Sequence, residues 1–148
     1  MPEATEPRQV ASIEDAVEAL ALADVSFLAL SARRAEPPAP GVVERVETAD
    51  LAFRLASRMS EQGVDYRCEL RVTLPDGEVN VDAVASYRAS EPVALGGDAL
   101  ADFGDNVAIM TLFPYVREAA ADLARRISYS VTLPVMPRGT LSFRGEQD

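Results

Sequence analysis

Three segments in the middle of the chain alternate apolar and polar residues with a period of two. Leu51, Phe53, Leu55 and Met59 point one way, and Arg54 and Arg58 the other. Tyr66, Cys68, Leu70, Val72 and Leu74 alternate with Arg67, Glu69, Arg71 and Thr73. Val79, Val81, Ala83, Ala85 and Tyr87 alternate with Asn80, Asp82, Ser86 and Arg88. This period predicts strands with one buried and one solvated face. Pro75 to Glu78 places proline to start a tight turn and glycine to close it, so the last two segments form a hairpin. Upstream, Val25 and Phe27 share one face of a fourth strand, with Leu28 and Leu30 on the other. Two apolar faces predict a strand with neighbours on both sides, or one that crosses a sheet edge. The expected unit is a four-stranded antiparallel sheet within residues 24–90, apolar on one side.

One apolar face needs a cover. After Pro114, the residues Val116, Ala119, Ala120, Leu123 and Ile127 recur at helical spacing. Asp122 precedes Arg126 by four residues, the favourable order for a helical ion pair. Residues 98–128 are predicted helical, with an interruption at Gly104. Proline donates no N–H and pushes its predecessor out of the α region, so Pro114 should open this helix or kink a longer one. Ser12, with Glu14 and Asp15 behind it, caps a short acidic helix over 12–23. Residues 1–11 read as flexible. Residues 129–148 read as an extended strip and tail, kept out of a sheet centre by Pro134 and Pro137. The fold class is α+β: a single domain over 1–148 whose sheet is covered by a long C-terminal helix.

Composition narrows the chemistry. The 148 residues suit one domain with a real core, and 48% of them are apolar. No apolar run approaches the roughly 18 residues of a membrane span. The N-terminus lacks the basic-then-apolar order of a secretory signal, which predicts a cytoplasmic location. The net charge is −10, from 24 acids against 14 bases, which argues against a nucleic-acid partner. There is no histidine, and Cys68 is the only cysteine. The commonest general base and a soft metal site are therefore missing, and Cys68 on an apolar alternation reads as a core thiol. Ser128 and Ser130 have no histidine to activate them. Glu118 and Asp122 read as a solvated helix face beside Arg125 and Arg126. The chain is expected not to be an enzyme and to need no cofactor or metal.

The late part of the chain holds more apolar residues than one helix needs to cover one sheet face. Phe113, Tyr115, Tyr129, Val131, Leu133, Val135, Met136, Leu141 and Phe143 form this surplus. Such a surplus implies self-association or a binding groove.

The stretch "LFPYVRE", Leu112 to Glu118, resembles the Leu-Phe-Pro-Tyr-Ala-Arg-Glu helix motif of the SecB export-chaperone family, with Val116 as the one change. A glycine pair at Gly96 and Gly97 lies some fifteen residues upstream, and Leu133 to Val135 resembles the family's Leu-Ala-Pro-Val downstream. The resemblance covers roughly a third of the chain. It implies an ATP-independent holdase that binds non-native polypeptide through exposed apolar grooves. The nine surplus residues above become its client-binding candidates. Family members are dimers of dimers packed through their long helices, so Leu112, Val116, Ala120, Leu123 and Ile127 become interface candidates in a dimer or tetramer. The implied partners are unfolded or extended polypeptides, with SecA or an antitoxin as further candidates.

Three features depart from the export form. The segment after Leu133 to Val135 is too short for the family's second helix. The predicted outer sheet face sets Arg54, Arg58, Arg67, Arg71 and Arg88 against Glu69 and Asp82, a basic balance where the family is acidic towards SecA. An acidic helix precedes the first strand. These features look more like SecB-like chaperones of toxin–antitoxin systems. A dedicated chaperone for one partner, such as an antitoxin, is the second reading.

Overall fold

A computed structural model describes residues 6–134 and 141–143. Its elements run β1 (Arg8–Val10), α1 (Ile13–Ala19), β2 (Ala21–Arg34), β3 (Glu44–Val46), β4 (Asp50–Ser60), β5 (Gly63–Leu74), β6 (Gly77–Arg88), β7 (Val93–Leu95), α2 (Gly97–Phe103), a π-helical stretch (Gly104–Ala108), α3 (Ile109–Arg126) and β8 (Tyr129–Val131). The main sheet has the order β2-β6-β5-β4 and is antiparallel throughout. Two short parallel pairs, β1 with β7 and β3 with β8, tie the ends of the chain to the body.

The period-two strands lie where the alternation places them. Tyr66, Cys68, Leu70, Val72 and Leu74 of β5 are buried, as are Val79, Val81, Ala83, Ala85 and Tyr87 of β6. In the β4–β5 hairpin, Gly63 has φ +152°, and a Cβ there would stand 2.0 Å from the Tyr87 carbonyl oxygen, so the tight passage requires glycine.

The fourth strand differs from its sequence pattern. Register shifts fall between Leu22 and Asp24 and between Phe27 and Ala29. Each inserts one residue and reverses which face the following side chains take. Val25 and Phe27 pair with Ala85 and Ala83; beyond the second shift, Leu30 and Ala32 pair with Val81 and Val79. Leu30 therefore shares the inner face with Phe27, and only Leu28 turns outward.

The ends of the chain also depart from expectation. Residues 8–10, read as part of a flexible lead, form β1. The acidic helix ends at Ala19, and the sheet begins at Ala21. Ser12 caps that helix by accepting a hydrogen bond from the Asp15 N–H at 3.2 Å.

Pro114 opens nothing: α3 begins at Ile109, and helical structure continues back to Gly97 through the π-helical stretch. The interruption expected at Gly104 is a widening of the helix rather than a break. Gly104 has an ordinary helical φ of −60°. It is needed for space, because a Cβ there would lie 2.7 Å from both the Tyr66 and Phe143 rings.

Helix α3 lies across the inner face and buries Ile109, Leu112, Phe113, Val116, Ala120 and Ala124. Beneath α2 and the π-helical stretch, Tyr66, Tyr87 and Phe103 form an aromatic cluster, with Tyr87 edge-on to Phe103 at 4.8 Å. A helix is about 10 Å wide and strands are about 4.8 Å apart, so one helix covers two strands of four. The central β5 and β6 are closed; the inner faces of β2 and β4 are only partly so.

A candidate client-binding surface

The uncovered margin of β2 carries several exposed apolar side chains. Leu22, Phe27 and Leu30 face inward in register with β6, yet remain 47%, 40% and 47% exposed. The strand is fourteen residues long and, among the described residues, pairs only with β6, so its other edge offers a row of backbone donors and acceptors. Tyr115 flanks this margin. Phe113 leans toward β4, its ring 5.9 Å from that of Phe53. Two residues further on, a helix has turned about 200°, which carries Tyr115 to the β2 side. Tyr115 is 49% exposed. The opposite margin, on β4, carries the exposed Met59, with Leu51 and Leu55 half-buried.

The residues expected from sequence to bind clients divide sharply. Tyr115 is exposed, and Val131, Leu133, Leu141 and Phe143 are half-buried. Phe113 is buried beneath α3. Tyr129 is fully buried, so it belongs to the core and not to an accessible groove. Its ring lies under the Arg34 guanidinium, and its hydroxyl accepts a hydrogen bond from the Asp76 N–H at 3.0 Å. Val135 and Met136 lie outside the described residues. Among the interface candidates, Leu112, Val116 and Ala120 are buried against the sheet of their own subunit, and Leu123 and Ile127 are half-buried against the same core. Leu112, Val116 and Ala120 therefore form part of the contact between helix and sheet.

Sequence reasoning missed Leu22, Phe27 and Leu30. Their signal was the doubly apolar character of this strand, which fits a central strand as well as an edge.

The outer face is balanced rather than basic. Pairing adds Asp65, Glu78, Asp24 and Asp50 to the acids, and Arg33 to the bases, on that side. Arg67 bridges Asp82 at 2.8 Å, Arg88 contacts Asp65 at 3.0 Å, and Arg58 reaches Asp65 at 3.6 Å. Burial acts to raise the Asp65 pKa, but hydrogen bonds from Ser86 and Arg88 and the charges of Arg88 and Arg58 outweigh it and hold the carboxyl below its usual range.

Cys68 is buried, and burial first, with Asp82 and Glu69 adding to it, pushes its thiol up to about 12. It is therefore protonated and unreactive at neutral pH. Among the described residues, no group of three or more Cys, Asp or Glu side chains is placed to hold a metal ion, and no helix is long and apolar enough to cross a membrane.

No protein-family model matches the chain, and no curated protein sequence matches it. A solved structure does. The SecB-like chaperone Rv1957 of Mycobacterium tuberculosis, in complex with a ChAD peptide from the HigA1 antitoxin Rv1956, superposes with a TM-score of 0.62. The match covers 84% of this chain and 95% of that one, at 21% identity. The fold is SecB-like. The four-stranded antiparallel sheet and its covering helix make up this SecB-like frame, and residues 112–118 lie in the first half of α3.

Proposed function

We propose that the chain is an ATP-independent holdase that keeps non-native polypeptides from aggregating. The observation that carries this reading is the exposed inner margin of β2, where Leu22, Phe27 and Leu30 lie along an unpaired strand edge with Tyr115 beside them. An extended segment laid along β2 can pair its backbone with that edge and bury alternate side chains on the apolar margin. The run from Ala29 to Arg34 is free of register shifts and suits such pairing best. Covering each half-exposed apolar side chain contributes about 1 kcal/mol, and several together give useful affinity without nucleotide.

We also read the chain as a homo-oligomer, and a second copy that paired with the β2 edge would compete with clients for it. SecA is not part of this proposal, because the outer face balances its acids with arginines. The test is aggregation of a chemically unfolded model protein, followed by light scattering with and without the chain. A several-fold molar excess of the chain should suppress scattering; unchanged scattering sinks the reading.

A second reading is a dedicated chaperone for one partner, such as an antitoxin. It is favoured by the antitoxin peptide bound to the Mycobacterium tuberculosis structure. Binding to one antitoxin tail but not to unrelated unfolded chains would select it.

A further inference from the structure

The segment Leu141–Phe143 is seated on the helix junction in the manner of a bound peptide. The Phe143 ring stands edge-on to Tyr66 at 5.0 Å and fills the space that Gly104 leaves open. The Asp105 carboxylate receives both polar groups of the segment. One oxygen accepts the Phe143 N–H at 2.5 Å, and the other accepts the Ser142 hydroxyl at 2.9 Å. The walls of the seat have contacts of their own: Tyr66 packs on Phe103 at 5.9 Å, and its hydroxyl donates to the Leu100 carbonyl at 2.6 Å. Phe143 itself stays half-buried and Ser142 exposed, unlike the fully buried Tyr66 and Phe103.

We propose that the notch of Tyr66, Gly104 and Asp105 is a recognition site for a hydroxyl–aromatic pair in an extended peptide, and that the chain's own Ser142–Phe143 occupies it in competition with clients. The chemistry is specific. An aromatic ring fills a space floored by a glycine and walled by a tyrosine edge. A carboxylate grips the backbone N–H of that aromatic residue together with the hydroxyl before it, as charge-assisted hydrogen bonds. A tethered occupant holds the site at high effective concentration, so a free peptide must displace it. The identity of the competitor as a client rests on the holdase reading; the geometry of the notch does not.

The test uses a labelled peptide copying residues 139–144, Gly-Thr-Leu-Ser-Phe-Arg, and fluorescence anisotropy with the full chain. Phe143→Ala should bind it at least fivefold more tightly than the wild type. Adding Asp105→Asn should abolish that gain, and a peptide with alanine in place of its phenylalanine should not bind. Equal binding by wild type and Phe143→Ala, or binding by neither, overturns the proposal. If circular dichroism shows that Phe143→Ala does not fold, Phe143→Leu keeps an apolar cover, loses the edge-on ring contact, and should shift affinity in the same direction. Aggregation suppression is measured in parallel. A chain that suppresses aggregation while no variant binds the peptide refutes the notch alone. A chain that fails to suppress it while Phe143→Ala binds the peptide refutes the holdase alone.

Discussion

The guanidinium of Arg34 lies 4.2 Å above the ring centre of Tyr129, and this pair closes the C-terminal end of α3 onto the end of β2. Arg34 donates to the carbonyls of Ile127 at 3.0 Å and Ser128 at 3.4 Å, and to that of Glu36 at 2.9 Å. It also pairs with the Glu44 carboxylate. One side chain thus satisfies carbonyls left over at a helix end and joins four segments of the chain. Ser128, at φ +66°, turns the backbone so that those carbonyls converge.

Replacing this guanidinium should weaken the fold more than a surface arginine would. The Arg34 side chain is only 9% exposed. We expect Arg34→Ala to cost about 2–3 kcal/mol, from lost hydrogen bonds to carbonyls and the lost ring contact. Arg34→Lys should recover less than half of that, because an ammonium cannot span the same fork. Tyr129→Phe, which removes only the bond to Asp76, should cost about 1 kcal/mol. Urea unfolding of the three variants measures this order.

The neighbouring aromatic residues Phe113 and Tyr115 should separate stability from binding. Phe113→Ala empties a buried site and should cost about 3–4 kcal/mol. Tyr115→Ala removes an exposed ring and should change stability by less than about 0.5 kcal/mol. The same change should weaken affinity for an unfolded polypeptide about three- to tenfold, as truncation of an aromatic contact does. Thermal melts and anisotropy with a labelled unfolded client read the two effects. A Tyr115→Ala variant that binds like wild type would remove this ring from the groove.

Polar substitutions on the β2 margin test the groove itself. Phe27→Asp and Leu30→Asp together should abolish suppression of aggregation while the sheet persists, since both side chains are about half exposed. Their far-ultraviolet circular dichroism should match the wild type. Retained suppression by a folded double variant would move the client to another surface.

At Gly104 the constraint is space. Gly104→Ala should cost about 1–3 kcal/mol, the range for overpacking, because its methyl would press on Tyr66 and Phe143. The helix propensity gained in exchange is smaller, about 1 kcal/mol. A stabilised Gly104→Ala would mean that the Phe143 ring gives way freely.

Alkaline pH should expose the buried thiol. An ordinary cysteine titrates near 8.5, and Cys68 is pushed up to about 12 in the fold. The folded state therefore favours the protonated thiol. That contribution is fully present below about pH 8.5 and is lost as pH rises toward 12. Tyr66 and Tyr87, both raised chiefly by burial, add to the loss above about pH 10. The urea midpoint of the wild type should fall above pH 9, and that of Cys68→Ala should fall less steeply. A disulfide reagent at pH 8 should label Cys68 only after unfolding.

The central layer was legible in the order of residues. Alternation in β5 and β6 fixed which residues face inward, because side chains on a strand change sides at every residue and half of these are apolar. The stripe from Val116 to Ile127 fixed a covering helix for the same kind of reason, and the motif at Leu112 to Glu118 pointed to the fold. Which of the apolar residues stay exposed depends on how strands and helix pack. The second register shift in β2 puts Leu30 beside Phe27 on the inner face, and a reversal of that kind depends on the partner strand. A helix wide enough for two strands left the margins of four open, so exposure went to Leu22, Phe27 and Leu30. Tyr129, as apolar in its context as they are, was closed over by Arg34, ninety-five residues earlier in the chain.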